Sequence, residues 1–186
     1  MLSNVALKTK TSDINIGNVL AGNIKNQCEA VFDNAQREMF LTTIYEHVKN
    51  ALKEFDNDHH LIWKDGAENL TFNMGGGPWI NFQKAGEFNP YHSHSGQLSA
   101  VIYIDVPEEI AKENTRITIA TNSPCHGKIA FIHGSEGYAT DSSFNHQPKT
   151  GELFIFPSVL KHLVYPFFSD VERISMSFNL YNINVE

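Results

Sequence analysis

Apolar residues in the first third of the chain recur with the spacing of an α-helix. Between positions 34 and 55 they form one stripe, made of Phe40, Ile44, Val48, Ala51, Leu52 and Phe55. Such a stripe predicts an amphipathic helix that packs against a core. Asn34 is its predicted N-cap, and a shorter helix over residues 19–32 is predicted to precede it.

From about position 61 the pattern changes to short β-strands. They are predicted at 79–83, 97–105, 116–120, 129–133, 151–156 and 172–180, with turn-rich pieces between them. A helical part over about residues 1–60, followed by many strands over about 61–186, indicates an α+β chain that is mainly β. We expect one domain of 186 residues, a sandwich or barrel covered on one side by the helices.

The segment 172–180 alternates strictly between two kinds of side chain. One face is apolar and carries Ile174, Met176, Phe178 and Leu180; the other carries Arg173, Ser175, Ser177 and Asn179. Small polar groups around one cation suit a barrel interior that holds a ligand. A strand with its polar face in water alternates in the same way, so the strand alone leaves both interpretations open.

Composition and charge narrow the range of partners and compartments. The net charge is −7 and no basic run occurs, which argues against nucleic acid as a partner. No apolar stretch approaches the roughly 20 residues of a membrane span, and the N-terminus lacks the apolar segment of a secretory signal. With only two cysteines, a disulfide framework is not expected. A soluble cytoplasmic protein is the expectation.

Three of the nine histidines stand in positions that suit a metal. His92 and His94 precede an apolar strand, and in extended backbone their side chains point to the same side. Such a pair is a weak signal alone. His162 follows a strand that ends at Pro157, and Arg173 comes eleven residues later. A 2-oxo acid that chelates a metal needs a cation for its far carboxylate, and a bidentate Arg supplies it better than Lys.

Taken together, these segments resemble the Fe(II)/2-oxoglutarate-dependent oxygenases, and most of all a small group of uncharacterised members. The resemblance covers roughly residues 70–182. It rests on His92-Ser93-His94 with the strand 98–104, on Gly151 through His162 (GELFIFPSVLKH), and on Glu172 through Asn179 (ERISMSFN), with Trp79-Ile80-Asn81 also fitting.

The resemblance implies a double-stranded β-helix, or jelly roll, that binds Fe(II) and 2-oxoglutarate. It further implies a dioxygenase that produces succinate and CO2 and hydroxylates a substrate. The implied metal ligands are His92, His94 and His162, and the implied cosubstrate residues are Arg173, Ser175, Tyr103 and Asn81. The common facial triad has a carboxylate two positions after the first histidine, where this chain has His94. Either His94 is a third neutral ligand, or it points away and water or substrate takes that position.

Two other functions remain open at this point. One is a cupin-like metalloenzyme with three His ligands and no 2-oxo acid, which gives Arg173 no task. The other is a non-catalytic jelly-roll binding module. The substrate, a small molecule or a protein that would react with O2, is not readable from the sequence. The oligomeric state is not readable from the sequence either, and a homodimer is one of the states that stay open.

Overall fold

The computed structural model describes residues 1–12, 14–56, 67–115, 122–135, 138 and 140–186. Within these residues, three α-helices and a 3₁₀ turn (Gly17–Val19) accompany ten strands. The helices are α1 (Leu2–Lys10), α2 (Asn34–Asp56) and α3 (Glu108–Glu113). The strands are β1 (Gln27–Glu29), β2 (Leu70–Asn73), β3 (Trp79–Gln83), β4 (Asn89–His92), β5 (Leu98–Asp105), β6 (Ile129–Ile132), β7 (Ser143–His146), β8 (Leu153–Pro157), β9 (Lys161–Val164) and β10 (Arg173–Val185).

The strands form two antiparallel sheets. The larger sheet has the order β1-β3-β10-β5-β8, with β2 added along the far end of β10. The smaller sheet has the order β4-β9-β6-β7. Apart from the consecutive pair β6 and β7, neighbouring strands in both sheets are distant in sequence.

The long predicted helix is confirmed as α2, and its stripe is the buried face. Phe40, Ile44, Val48 and Leu52 join one core cluster with the apolar side of the larger sheet. The stripe ends there, because Phe55 is exposed. The cap is Asp33 rather than Asn34: Asp33 Oδ1 accepts the Gln36 amide at 2.9 Å, and Gln36 Oε1 accepts the Asp33 amide at 3.0 Å. None of the described helices combines the length and apolarity that crossing a bilayer requires.

The predicted helix over residues 19–32 is wrong. The segment contains the end of the 3₁₀ turn and then strand β1, which pairs with β3. Asn15 Oδ1 accepts the Gly17 amide at 2.8 Å, a local side-chain bond that competes with helix formation. Gly22 has a φ of +112°, which no right-handed helix accommodates. Pairing with β3 therefore decides the conformation of this segment.

The predicted strands agree with the structure wherever it describes them. The strand 79–83 is found with the same bounds, and 97–105, 129–133, 151–156 and 172–180 correspond to β5, β6, β8 and β10. The prediction at 116–120 lies outside the described residues. Sequence patterns missed α1, α3, β2, β4, β7 and β9. Of these, β4 and β9 matter most, because they carry two of the histidines.

The alternation predicted for β10 separates the core from a cavity. Met176, Phe178 and Leu180 are fully buried in the cluster that α2 covers. The opposite side chains, Arg173, Ser175, Ser177 and Asn179, line a cavity together with residues of the smaller sheet. The interior interpretation of this strand is therefore confirmed.

Candidate active site

Pairing of β4 with β9 brings His92 and His162 together. The two residues lie directly opposite each other in the antiparallel register, with ring centroids 4.2 Å apart. His162 also lies opposite Phe131 on β6 and is only 4% exposed. One pair of strands thus brings together two histidines that are 70 positions apart in the sequence.

His94 completes the cluster from the loop between β4 and β5. Its ring centroid lies 4.8 Å from that of His92 and 5.0 Å from that of His162. One ligand-capable nitrogen from each ring lies within 4.8 Å of the others. Among the described residues, this is the one group of three or more His, Cys, Asp or Glu side chains close enough to share a metal ion.

Backbone carbonyls select the tautomer of two of these rings. His92 Nδ1 lies 2.6 Å from the Pro90 carbonyl oxygen, and His162 Nδ1 lies 3.0 Å from that of Leu160. A carbonyl oxygen can only accept, so both Nδ1 atoms are donors. Both Nε2 atoms therefore keep a lone pair, the arrangement that outer-shell partners impose on metal-binding histidines.

Burial keeps two of the rings uncharged near neutral pH. Desolvation lowers the pKa of His94 to about 4, and the positive charges that His162 and His92 would carry add to the effect. Desolvation also lowers the pKa of His162 to about 4, opposed by its bond to the Leu160 carbonyl and assisted by His92 and Lys161. At pH 7 these rings have no proton to lose before they bind a metal.

Arg173 projects from the start of β10 into the same cavity and is only 2% exposed. Its Nη1 donates to the Gly127 carbonyl oxygen and its Nη2 to Gln83 Oε1, each at 2.5 Å. The rings of Tyr103 and Phe167 flank the guanidinium, 5.5 and 5.7 Å from Cζ. These two hydrogen bonds and two ring contacts fix the orientation of the guanidinium plane.

No described carboxylate pairs with this buried guanidinium. Desolvation lowers the pKa of Arg173, but a guanidinium keeps its proton in proteins. Three of its five N–H donors have no partner among the described residues. Because a buried charge is costly unless paired, the arrangement calls for an anion in the cavity.

Neutral polar side chains continue from Arg173 towards the histidines. Asn81 Oδ1 accepts from Gln27 Nε2 at 2.8 Å, which directs the Asn81 amide nitrogen to Ser177 and Ser175 at 3.2 and 3.4 Å. Tyr103 also lines the cavity. Burial raises its pKa to about 12, with Arg173 opposing and Glu152 assisting, so its hydroxyl stays protonated and can donate.

The cavity therefore joins the predicted residues into one site. His92, His94, His162, Arg173, Ser175, Tyr103 and Asn81 all line it. Sequence reasoning missed Gln83, Gly127 and Gln27. The signal for Gln83 was present, since it shares a strand face with Asn81.

One wall of the cavity comes from the start of the chain. Leu20, Ala21, Ile24 and Gln27 line it, on the segment predicted as a helix. The segment spans the gap between the sheets: Asn15 bridges to Cys28 at the edge of the larger one, and the Asn23 amide donates to the Phe88 carbonyl just before β4. An N-terminal strap, residues 14–24, thus closes the side of the site.

No described Asp or Glu lines the cavity. Asp105, the nearest acidic residue along β5, is exposed at the end of that strand. The position usually taken by a carboxylate is therefore occupied by His94, whose ring does not point away from the other two.

The fold and this site define a member of the 2-oxoglutarate/Fe(II) oxygenase superfamily, and comparison with known proteins agrees. A family model described as "Putative 2OG-Fe(II) oxygenase" matches residues 77–179, more than half of the chain. The chain belongs to this family, and the class indicated by its sequence is confirmed.

Other comparisons bear on the fold alone. No curated protein matches the chain in sequence. Among solved structures it is similar to a prolyl-4-hydroxylase from Pseudomonas putida, with a TM-score of 0.54 and 16% identity, over 96% of this chain and 83% of that one. This likeness confirms the expected double-stranded β-helix.

Proposed function

We propose that the protein is a non-haem oxygenase that uses Fe(II) and 2-oxoglutarate to hydroxylate a substrate, with succinate and CO2 as coproducts. The observation that carries the proposal is one cavity lined by three clustered imidazoles, two of them kept uncharged by burial, and by a buried guanidinium without a described counterion. A metal ion bound by the imidazoles and a dicarboxylate bound by the guanidinium would account for both features.

Fe(II) would be held by His92, His94 and His162. Imidazole suits iron, and the carbonyl bonds of His92 and His162 orient their rings as ligands. Three neutral ligands would leave the centre one unit more positive than two histidines and a carboxylate. An anionic cosubstrate would then meet a stronger positive field at the metal end of the cavity as well as at Arg173.

The far carboxylate of 2-oxoglutarate would be held by Arg173. Gly127 and Gln83 occupy two of its donors and so fix which N–H groups remain for the ligand. Charge-assisted bidentate pairs of this kind are the strongest hydrogen bonds that proteins make to carboxylates. The protonated hydroxyl of Tyr103 and the side chains of Ser175 and Asn81 would supply neutral donors beside it.

The bound iron and cosubstrate would supply the oxidative chemistry, in which O2 gives one oxygen atom to succinate and the other to a substrate C–H bond. The chain itself binds, orients and excludes water. Trp79, Ile129, Phe156 and Val164 give the cavity apolar walls. Phe167 is fully buried against Arg173, which keeps water from the guanidinium.

A three-His metalloenzyme that uses no 2-oxo acid is the second candidate, favoured by the all-imidazole ligand set. It leaves the charge of Arg173 unpaired inside the protein, at considerable cost in free energy. Binding of 2-oxoglutarate to metal-loaded protein therefore distinguishes the two functions.

The test is conversion of 2-oxoglutarate to succinate without added substrate, with and without Fe(II). We expect iron-dependent succinate from the natural protein and none from His162→Ala. His47→Ala, on the exposed side of α2, is the matched control and should behave as the natural protein does. Since uncoupled turnover is slow, binding of Fe(II) and 2-oxoglutarate is measured in parallel. The proposal would be refuted if the natural protein failed to bind Fe(II) or 2-oxoglutarate. It would also be refuted if His162→Ala produced as much succinate as the natural protein.

A further inference from the structure

His94 is held differently from the other two histidines. His92 and His162 lie on paired strands, and each ring donates to a backbone carbonyl two residues earlier. His94 lies in the loop of residues 93–97, and among the described residues neither of its ring nitrogens has a hydrogen-bond partner. Its ring touches Trp79 edge-on, with centroids 6.3 Å apart. The direction of this ring must therefore come mainly from the backbone of its loop.

Backbone and side-chain hydrogen bonds hold that loop in place. Towards β8, the His94 amide donates to the Ser158 carbonyl at 2.9 Å, and the Ser158 amide donates to the Gln97 carbonyl at 3.0 Å. Towards β10, the Gln97 amide donates to the Leu180 carbonyl at 2.8 Å. Two side-chain bonds at 2.8 Å also hold the loop: Lys161 Nζ on β9 donates to Ser93 Oγ, and the Ile183 amide donates to Gln97 Oε1. A further side-chain bond joins Ser95 Oγ to the Tyr181 hydroxyl at 2.7 Å. It is the one nearest to His94 on the β10 side.

Two glycines make the space that the Tyr181 ring occupies. A Cβ atom on Gly75 would lie 2.8 Å from Tyr181 Cε2, and one on Gly96 would lie 2.9 Å from the Leu180 carbonyl oxygen and 3.4 Å from the Tyr181 ring. Gly96 also has a φ of +102°, which residues with a side chain rarely adopt. The register of β10 against β2 shifts just after Tyr181, at Asn182 with a φ of +51°. The ring thus sits in a slot between two backbones.

We propose that Tyr181 is a positioning residue for the metal centre, which sets the direction of the His94 imidazole by holding Ser95. This inference rests on the proposed function, because it assumes that His94 binds the metal. Among the described residues, Tyr181 makes no hydrogen bond or ring contact with the three histidines or with Arg173. It lies beyond residue 179, the last that the family model matches.

The experiment measures metal binding rather than turnover. Co(II) is titrated into metal-free protein under anaerobic conditions, and both its dissociation constant and its d–d absorption spectrum are recorded. Tyr181→Phe removes only the hydroxyl. We expect the dissociation constant to rise about tenfold, as when outer-shell partners of metal ligands are removed, and the spectrum to shift. Ser95→Ala should reproduce both changes.

Two controls separate positioning from general loss of stability. Tyr45→Phe removes a hydroxyl that accepts one amide bond, from Leu70 at 3.0 Å, on the far side of the core; it should leave Co(II) binding unchanged. In a His94→Ala background, Tyr181→Phe should have no further effect, because the ring it positions is gone.

The possible results distinguish the positioning role of Tyr181 from the proposed metal centre. An unchanged Co(II) constant and spectrum in Tyr181→Phe and Ser95→Ala would overturn the positioning role and leave the metal centre standing. A tenfold loss that persists in the His94→Ala background would also overturn it, since the effect would not pass through His94. If the natural protein binds no Co(II) and no Fe(II), the proposed function fails and this inference fails with it.

Discussion

Replacing Arg173 by Met tests the cosubstrate site most directly. Met fills much of the same volume and removes the charge. Arg173 is the one buried guanidinium lining the described cavity, and no described carboxylate competes for it. The variant should therefore lose affinity for any dicarboxylate that pairs with this position, while the three histidines remain.

The expected loss follows from burial and geometry. Removing one partner of a buried, hydrogen-bonded charge pair costs about 2–5 kcal/mol. Since each 1.4 kcal/mol is a factor of ten, the dissociation constant of 2-oxoglutarate should rise roughly 30- to 4,000-fold. Arg173→Lys keeps the charge but loses the planar fork that Gly127 and Gln83 orient. Its affinity should therefore fall between those of the natural protein and the Met variant.

The assay is calorimetric titration of 2-oxoglutarate into metal-loaded protein without O2. Pyruvate serves as a matched ligand, because it has the same 2-oxo acid group but no far carboxylate. The natural protein should bind 2-oxoglutarate much more tightly than pyruvate. In Arg173→Met this preference should disappear, with pyruvate binding nearly unchanged.

Comparing two ligands separates the role of Arg173 from its contribution to folding. A variant with a damaged fold would lose both ligands equally. Equal binding of both ligands by the natural protein, or a full preference for 2-oxoglutarate in Arg173→Met, would refute the assignment of Arg173.

Two further predictions concern stability. Changing Ile44, which is 2% exposed in the core cluster, to Ala should lower the free energy of unfolding by about 2–5 kcal/mol. Denaturant titration checks this against Leu41→Ala, at an exposed position where the loss should be far smaller. Glu113, 4% exposed, accepts the amides of Phe168 at 3.0 Å and Ser169 at 2.6 Å. Burial tends to raise its pKa, but these bonds and nearby His126 outweigh it, and the net pKa is lowered. The stability it contributes is thus present above the unfolded pKa of about 4.5 and lost as pH falls through the lower folded value. Glu113→Gln should lose about 1.5–3 kcal/mol at pH 7 and show a shallower fall of stability below pH 5. An unchanged acid profile would contradict this reasoning.

Sequence patterns predicted the parts of the fold whose side chains alternate or repeat strongly. Strand β10 is the clearest case, because a strict period of two assigns Met176 and Phe178 to one face and Arg173 and Ser175 to the other, and the core and the cavity lie on those two faces. The two histidines around Ser93 were also recognisable, since their spacing is local.

The rest depends on contacts between distant segments, which local patterns do not encode. Strands β4, β7 and β9 are four residues long and carry polar side chains, so pairing alone makes them strands. The segment 19–32 lacks a clear apolar stripe, and only the edge of β3 makes part of it a strand. Likewise, Gly127 meets Arg173 through its carbonyl group, which no side-chain pattern reports.

The N-terminal strap has a consequence for the choice of fragments of this chain. A fragment that begins at the family-matched range would keep the three histidines and Arg173, yet it would lack Leu20, Ala21, Ile24 and Gln27. The cavity of such a fragment would lack one wall and be open to solvent there, and Asn81 would lose Gln27, the partner that orients its amide. The shortest piece that carries the recognisable motifs is thus smaller than the shortest piece with a complete pocket.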